Sequence, residues 1–344
     1  MADAILSAIR RLAARESLDS ATITKAFAEI MRGEGTSAQV AALLMALRVK
    51  GETPSEVAGV VRAMRDAMHV LPASEPQLLV DTCGTGGGSL TTFNISTAAA
   101  LLAAGAGVRI AKHGNRSFTS RSGSADVLEA LGVAIEVTPE VMLNTLNEAG
   151  IVFMFAPLMH PAMRHVGPVR RELTIGTVMN IVGPLANPAR AGRQVVGVAE
   201  RGRQELIAGA LAELGTEHAM VVYGEPGLDE VSPLGPTTVV EIRGGDITRW
   251  EIDPAMAGED GIRAEDLAGG GPEENAAVIE RVLGGGGAPA ARAAVVLNAA
   301  AAIYVAGMVA TYEAAVGVAR ETLRAGRGVE ALARLRRASP RIAG

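Results

Sequence analysis

The sequence predicts an α/β protein in which a small, purely helical part precedes a larger part built around a mainly parallel sheet. The first 70 residues carry helix-start and helix-stop signals but no strand pattern. From about residue 78 onward, short apolar runs of strand length alternate with helical stretches. A packed core is expected, because 49% of the 344 residues are hydrophobic and 20% are charged. We therefore expect a boundary near residue 72, with residues 1–72 helical and the sheet within residues 73–344.

The helical part is predicted from residue spacing and from two capping boxes. Apolar residues recur at helical spacing in residues 6–12, and a second helical run covers residues 21–32. Thr36–Gln39 and Thr53–Glu56 each place a hydroxyl three residues before an amide or carboxylate, a pattern in which both side chains satisfy backbone N–H groups at a helix start. Pro54 adds a proline at the first helical position. Four helices are therefore expected.

The sheet is predicted from short apolar runs. These are Leu78–Val80, Val108–Ala111, Val133–Val137, Ile151–Phe155, Val195–Val198 and Met220–Tyr223. Helices are expected between them, at Thr97–Ala104, Ala125–Leu131, Pro139–Ala149 and Arg203–Leu214. Residues 237–252 are typical of two strands joined at Gly244–Gly245, and helices near 290–307, 309–325 and 328–337 are expected to end the chain.

Charge and cysteine content exclude several classes of protein. The net charge is −5, whereas a nucleic-acid-binding domain usually has a basic excess. Cys83 is the only cysteine, which excludes an intrachain disulfide and a cysteine metal site and suits a reducing cytoplasm. No signal-peptide pattern opens the chain, and Arg292 and Asn298 interrupt the apolar run 290–309, so we expect a buried helix there rather than a membrane span. A cytoplasmic protein without nucleic-acid or membrane partners is expected.

A glycine-rich segment, Gly84–Gly88, follows the first predicted strand. Glycines let the backbone approach an anion and turn its N–H groups inward. Asn94 and Ser96 add polar side chains, and Ser96 or Thr97 is expected to cap the next helix, whose positive end favours phosphate. The spacing matches neither a dinucleotide-binding fingerprint nor a P-loop. The alternative is a tight strand–helix turn, but four clustered glycines together with the neighbouring hydroxyls exceed what a turn requires.

A second polar segment, residues 112–124, follows another predicted strand. Ligands of open α/β sheets bind beyond the carboxyl ends of the strands, so this loop and the glycine segment can face one crevice. Lys112, Arg116 and Arg121 are expected to supply positive charge there. Ser124 is expected to cap the following helix. The alternative, a solvated charged loop, fits Arg121 better than it fits Lys112.

Two further segments carry polar side chains suited to a ligand site. Asp229 and Glu230 follow a predicted strand, and adjacent carboxylates in a loop suit Mg²⁺ when phosphate oxygens are near. Residues 160–171 contain three arginines, and an arginine can hold a carboxylate in a two-pronged contact. Physical reasoning alone leaves Arg164, Arg170 and Arg171 as alternatives. Lone histidines such as His160 are more often structural than catalytic.

These segments together resemble the anthranilate phosphoribosyltransferases. The resemblance runs almost end to end and rests on Gly84–Gly88 with Asn94–Thr97, on Lys112–Ser117, on Asn180–Pro188 and on Asp229–Pro233. It implies a nucleoside phosphorylase-like fold, with a helical domain beside a large α/β domain and the active site in the cleft. It also implies that helices around 162–185 join the first 72 residues, and that homodimers form through the helical domain.

The resemblance further implies roles for individual residues. The donor, 5-phosphoribosyl 1-pyrophosphate, would contact Gly84, Gly87, Thr92, Asn94, Ser96, Thr97, Lys112 and Ser124, although the serine of loop 119–124 is open. Anthranilate would contact Gly84, Asn115, His160, Arg170 and Gly183, with Arg170 facing its carboxylate. Two Mg²⁺ ions would be held by Ser96, Asp229 and Glu230.

One position departs from the family pattern. The family loop usually reads Gly-Thr-Gly-Gly-Asp, and Gly88 stands here in place of the aspartate. A carboxylate is therefore missing near the expected pyrophosphate. We expect an altered Mg²⁺ dependence or a looser loop, and not a lost reaction.

Two rival functions are weighed against this resemblance. A pyrimidine nucleoside phosphorylase on the same fold would need its own lysine–serine phosphate signature, which the sequence lacks, and Arg170 also argues against it. A noncatalytic nucleic-acid-binding relative on the same scaffold should be basic, whereas this chain is acidic.

Overall fold

The computed structural model describes residues 3–117 and 121–339. Seven strands form one sheet: β1 Val80–Gly84, β2 Ile110–Gly114, β3 Ile151–Phe155, β4 Arg193–Gly197, β5 His218–Gly224, β6 Thr237–Arg243 and β7 Asp246–Ile252. The α-helices are α1 Asp3–Ala13, α2 Ser20–Met31, α3 Ser37–Lys50, α4 Pro54–Asp66, α5 Ile95–Gly105, α6 Ser124–Ala130, α7 Pro139–Ala149, α8 Ala156–Met159, α9 Gly167–Leu173, α10 Met179–Val182, α11 Gln204–Glu213, α12 Pro272–Leu283, α13 Pro289–Val305, α14 Tyr312–Arg324 and α15 Arg327–Ala338. The predicted fold class, a small helical part and a large α/β part, is confirmed.

The first four helices begin where the sequence predicts them. Thr36 with Gln39 and Thr53 with Glu56 form complete capping boxes at the starts of α3 and α4. Glu56 is fully buried, and its carboxylate also accepts hydrogen bonds from Leu18 N and from Lys50 Nζ. The same side chain therefore starts α4 and ties it to the preceding helices.

The sheet has the order β3-β2-β1-β4-β5-β6-β7. The first five strands in this order are parallel, and β6 and β7 add an antiparallel edge. Because the carboxyl ends of parallel strands meet at one edge, the ends of β1, β2, β4 and β5 lie side by side. All four strands end in glycine: Gly84, Gly114, Gly197 and Gly224.

Two strand predictions differ from the structure. The predicted run Leu78–Val80 overlaps β1 only at Val80, because Pro76–Leu78 form a 3₁₀-helix. Residues 133–137 form no strand of the described sheet, although Val133 and Ile135 are buried. The backbone of Ala134 is paired instead with the end of α15: Ala134 N donates to Ser339 O, and Ser339 Oγ donates to Ala134 O. The apolar side chains fill the core while a helix end satisfies the backbone, an arrangement that a short apolar run cannot reveal.

Residues of the crossover after β3 pack with the helical part. Val166, Val169, Val178 and Met179 belong to the same buried apolar cluster as the core residues of α1–α4.

At the other end of the chain, α13 is a buried helix, as predicted, with almost every residue from Ala290 to Val305 inaccessible to solvent. No helix within the described ranges is both long and apolar enough to cross a bilayer.

Candidate active site

The loop that carries Asp229 lies directly over the strand ends. A Cβ atom on Gly197 would overlap the Asp229 carbonyl group, and one on Gly84 would overlap the Asp229 carboxylate. Only hydrogen at these positions lets the loop approach the sheet edge so closely. Thr85 N also donates to Gly197 O, which joins the glycine segment to the end of β4. The glycine segment and the loop that carries Asp229 and Glu230, the carboxylate loop, therefore pack together as one layer at this edge of the sheet.

Asp229 and Glu230 both accept hydrogen bonds from backbone amides, one in the glycine segment and one in the first turn of α5. Asp229 Oδ2 accepts from Gly86 N at 2.8 Å, and Glu230 Oε1 accepts from Ser96 N at 3.1 Å. Gly86 and Gly87 have φ of +73° and +83°, a conformation that other residues rarely adopt. Backbone amides in such conformations can donate hydrogen bonds to oxygen anions, and here they donate to the two carboxylates.

Both carboxyl groups have raised pKa values. Burial raises the pKa of Asp229, and burial together with the Asp229 charge raises the pKa of Glu230. The positive charge of Lys112 opposes the rise in the pKa of Glu230. Among the described residues, no group of three or more acidic, histidine or cysteine side chains is arranged so that it could hold a metal ion by itself. A cation here would need further oxygens from a ligand, which is how Mg²⁺ is usually held beside phosphates.

Lys112 is buried and points toward the start of α5. Its Nζ donates to the Thr82 carbonyl group and lies 3.3 Å from Ser96 Oγ. Within residues 3–117 and 121–339, no carboxylate comes within ion-pair distance of this ammonium. Below it, the buried Asp81 accepts from His113 N and from Asn187 Nδ2, and burial raises the Asp81 pKa to about 6. Lys112 is therefore a buried cation that is held by oxygen atoms of Thr82 and Ser96 and has no carboxylate partner among the described residues.

The start of α5 differs from the prediction. The N-cap residue is Asn94, so Ser96 and Thr97 lie inside the first turn and neither caps the helix. The Asn94 side chain makes no capping bond because its amide contacts Ser122 and Asn275 instead. Thr97 is buried, and its Oγ1 has no partner among the described residues.

Arg116, in the second polar segment, does not supply the free positive charge that the sequence predicts. Its guanidinium pairs with Asp126 at 3.0 Å and with Glu129 at 2.5 Å, so its charge is neutralised on α6. Asp126 Oδ2 also accepts from Ser117 N and Gly123 N, which closes the two ends of the loop. Arg116 and Asp126 shape the loop and leave Lys112 as its buried cation.

The predicted cap of α6 is also wrong by one residue. The N-cap is Gly123, whose N–H is satisfied by the side chain of Asp126, and Ser124 is the first helical residue. Ser124 Oγ lies 3.4 Å from Asn115 O and against Gly114, where a Cβ atom would collide with it. Arg121 is exposed, as the alternative of a solvated loop predicts. The serine predicted within 119–124 remains open, because residues 118–120 lie outside the described part of the chain.

Of the three candidate arginines, Arg170 has the environment of a carboxylate-binding residue. It lies half-buried on α9, and burial lowers its pKa. No described carboxylate forms an ion pair with it. Arg164 and Arg171 are exposed, and Arg164 Nε donates to its neighbour His165. A half-buried cation without a protein partner is the one best suited to a ligand carboxylate.

His113 forms a pair with His160 that the sequence did not predict. Their rings are 5.0 Å apart, and the backbone carbonyl groups of Gly183 and Ala186 act on His113 and His160 respectively to favour the protonated ring. Burial lowers the pKa of His113 to about 3 and that of His160 to about 4, so both are neutral near pH 7. Each Nε2 is buried without a described partner, and in a neutral ring one of the two nitrogens is a hydrogen-bond acceptor.

The segment 183–187 is held by polar side chains along its length. Besides the two histidines, Arg65 donates twice to Leu185 O, Gln194 donates to Pro184 O, and the Asn187 amide joins Asp81 to Ala111 O. The segment thus links α4, β1, β2 and β4. Asn180 lies just before it and accepts from Thr177 N. The sequence did not indicate the anchoring roles of Arg65, Gln194 and Asn187, because their partners are distant along the chain.

Comparison with known proteins gives consistent matches over both parts of the chain. Residues 76–329 match the glycosyl transferase family, a/b domain, and residues 6–68 match its helical bundle domain. An anthranilate phosphoribosyltransferase from Rubrobacter xylanophilus is 50% identical over 337 residues, 98% of either chain. One from Methanosarcina acetivorans is 46% identical over 319 residues, covering 93% of this chain and 85% of its own.

Solved structures agree with these sequence matches. The anthranilate phosphoribosyltransferase of Thermus thermophilus superposes with a TM-score of 0.89 at 42% identity, covering 96% of this chain and 99% of its own. The enzyme from Saccharomyces cerevisiae in complex with PRPP and Mg superposes with a TM-score of 0.87 at 28% identity, covering 97% of both chains.

Proposed function

The chain belongs to the anthranilate phosphoribosyltransferase family of glycosyltransferases, and from that membership we propose its substrates and the residues that hold them. The donor is 5-phosphoribosyl 1-pyrophosphate and the acceptor is anthranilate. The products are N-(5-phosphoribosyl)anthranilate and pyrophosphate, in a step of tryptophan biosynthesis. The observation that carries the proposal is the layer in which Asp229, Glu230 and the amides of Gly86 and Ser96 meet beside the buried Lys112.

The donor contacts the residues that surround this layer. We assign it to Gly84, Gly87, Thr92, Asn94, Ser96, Thr97, Lys112 and Ser124. The positive φ of Gly87 and the amide groups at the start of α5 suit phosphate oxygens, and Lys112 supplies a cation that has no carboxylate partner among the described residues. Thr97 is the least accessible of the set, so its hydroxyl would act from beneath the site.

Magnesium is the expected cofactor, with two ions proposed at Asp229, Glu230 and Ser96. The donor set is entirely oxygen, and no protein group completes the coordination within the described chain, which suits ions shared with the pyrophosphate. Bound Mg²⁺ would neutralise the pyrophosphate and make it a better leaving group. Asp229 and Glu230 are already adjacent to the amides that would face the same phosphates.

Anthranilate is assigned to Gly84, Asn115, His160, Arg170 and Gly183. Arg170 would hold the carboxylate, since it is half-buried and has no described ion-pair partner. The neutral Nε2 atoms of His113 and His160 are suited to accept hydrogen bonds from the amine. Both sides of the reaction would then be held by groups that are fixed before the ligand arrives.

The proposed chemistry relies on positioning and electrostatics. The neutral amine nitrogen forms a bond to C1′ of the ribose, while the bond from C1′ to the pyrophosphate oxygen breaks. The nitrogen then loses a proton to solvent or to a neighbouring acceptor. No strong general base is needed, because the amine attacks before it is deprotonated. Lys112 and the loop amides hold the departing pyrophosphate in place.

We also propose that the helical domain comprises residues 1–72 together with 162–185 and that it forms a homodimer. The shared apolar cluster of Val166 and Val178 with α1–α4 supports the discontinuous domain. Leu6 and Val49, exposed to 36% and 73%, support an interface on the helical domain. Light scattering of the wild type and of Val49→Arg tests the dimer. A cytoplasmic location is proposed from the biosynthetic role.

Loss of anthranilate fluorescence tests the proposed function directly. With donor and Mg²⁺ present, the purified chain should remove anthranilate fluorescence at a rate proportional to enzyme concentration. A nucleoside phosphorylase would instead cleave pyrimidine nucleosides with inorganic phosphate and leave anthranilate untouched. A noncatalytic binding protein would do neither, and either of those results would overturn the proposal.

A further inference from the structure

A segment from far along the chain is hydrogen-bonded to the exit of the glycine loop. Residues 267–275, which we call the strap, end in the first turn of α12. Phe93 N donates to Leu267 O at 3.0 Å, Gly269 N donates to Thr91 O at 3.0 Å, and Thr92 bridges Ala268. The strap therefore runs beside residues 91–93 as a short antiparallel partner, just before Asn94.

The strap approaches this loop closely enough to exclude a side chain. A Cβ atom on Gly269 would overlap the backbone of Thr92. A close backbone approach of this kind is one of the uses of glycine. The register between strap and loop is thus fixed by backbone contact as well as by hydrogen bonds.

Asn275 extends the strap to the side chain of Asn94. Asn275 is 2% exposed; its Nδ2 donates to Asn94 Oδ1 at 2.9 Å, and its Oδ1 accepts from Gly270 N at 2.8 Å. Asn94 Oδ1 also accepts from Ser122 Oγ, and Asn94 Nδ2 donates to Ser122 O. Both acceptor positions of the Asn94 oxygen and one of its two N–H groups are therefore occupied.

We propose that Asn275 is a positioning residue of the donor site, which fixes the Asn94 amide so that its second N–H faces the phosphoribosyl donor. The inference rests on the proposed function, because Asn94 is assigned there to the donor. Asn275 acts through Asn94 and touches no ligand itself. The same amide joins the glycine loop to Ser122, so the strap holds both donor loops in one arrangement.

The two substitutions of Asn275 with the most distinct consequences are Asn275→Ala and Asn275→Asp. Alanine removes one neutral hydrogen bond to Asn94, so donor Kd and donor KM should rise about three- to tenfold. Aspartate keeps the shape but places an acceptor against Asn94 Oδ1. Flipping the Asn94 amide would relieve this repulsion, but it would direct the Asn94 oxygen at the Ser122 carbonyl group. The rise in donor Kd and donor KM should therefore be at least as large as for alanine. The anthranilate KM should stay within about twofold of wild type.

The test compares Mg²⁺-dependent donor binding, both KM values and thermal stability for these variants and for Glu273→Ala, an exposed control on the first turn of α12. The double variant Asn94→Ala/Asn275→Ala should bind donor no more weakly than Asn94→Ala alone. A purely structural Asn275 would make aspartate milder than alanine and would affect both substrates equally, which overturns the inference. A wild-type chain that binds no donor would instead overturn the proposed function.

Discussion

The Asp229 carboxylate accepts a 2.8 Å hydrogen bond from the backbone N–H of Gly86, 143 residues earlier in the chain. A candidate metal ligand and a candidate phosphate-binding amide are thus direct neighbours. The close packing of Asp229 against Gly84 and Gly197 keeps them so. Binding of the cation and binding of the donor are therefore expected to depend on the same backbone geometry.

Gly197→Ala should impair both functions of this layer. Its Cβ would overlap the Asp229 carbonyl group, so the carboxylate loop must move or the core must strain, at a cost of about 1–3 kcal/mol in the free energy of unfolding. We expect kcat/KM for the donor to fall at least tenfold and the Mg²⁺ requirement to rise. Gly202→Ala is the matched control, because Gly202 is exposed with open space around its Cβ position. Equal activity of the two variants would disprove the packing role.

Gly88→Asp should lower the Mg²⁺ concentration needed for half-maximal activity. A Cβ at this position would lie 3.3 Å from Asp229 Oδ1, so a third carboxylate would enter the candidate metal site and attract cations more strongly. Activity is measured against Mg²⁺ concentration for the wild type, Gly88→Asp and the uncharged control Gly88→Asn. Identical curves for all three would refute a role of this position in Mg²⁺ dependence.

Arg170→Ala should weaken anthranilate binding selectively. Loss of a charged, two-pronged contact raises the anthranilate KM about ten- to a hundredfold, while the donor KM changes little. Arg171→Ala is the control, because Arg171 is the exposed neighbour on the same helix. Steady-state kinetics with each substrate varied in turn give the comparison. Equal increases in both KM values would contradict the assignment.

The contribution of His113 and His160 to stability should fall as the pH drops from about 6.5 to 4. The folded-state pKa values of His160 and His113, about 4 and 3, lie below the ordinary histidine pKa of 6.5, so the unfolded chain takes up protons that the folded chain refuses. Each histidine contributes a slope of up to about 1.4 kcal/mol per pH unit. The raised pKa values of Asp81, about 6, and of Glu230, about 8, act in the opposite direction as the pH falls toward 4, as does the raised pKa of Asp229.

The difference between two proteins isolates the histidine contribution. His160→Gln removes one of the two titrating rings, so the stability of the wild type relative to the variant should fall as the pH drops over this range, while the carboxyl contributions cancel in the difference. Chemical denaturation at half-unit pH steps measures both slopes. A variant slope equal to that of the wild type would show that His160 does not titrate as its burial implies.

Local signals in the sequence predicted much of the fold. The capping boxes at Thr36 and Thr53 and the strand–glycine junction at Gly84 depend on residues within a few positions of each other, and the structure contains all three. Residues 133–137 were mispredicted because Ala134 is paired with Ser339, about 200 residues away. Local pattern cannot distinguish a buried strand from a buried loop whose backbone is satisfied at long range.

The candidate site shows the same division. The loops containing Gly84, Lys112 and Asp229 were predicted as neighbours, since strand ends converge at one edge of a parallel sheet. The individual side chains were less predictable: Arg116 is neutralised by Asp126. Asn94 holds the N-cap position expected for a serine or threonine, yet it makes no capping bond, because its amide contacts other side chains. Such choices depend on which polar partners burial brings together, and spacing does not encode them.

Formation of the bond between C1′ and nitrogen tests the central claim most directly. Anthranilate labelled with ¹⁵N at the amine is mixed with enzyme, Mg²⁺ and donor labelled with ¹³C at C1′, and the mixture is followed by NMR. The account predicts a one-bond ¹³C–¹⁵N coupling that grows in step with pyrophosphate in the ³¹P spectrum. Donor consumption without that coupling, or no consumption at all with folded enzyme, would contradict it.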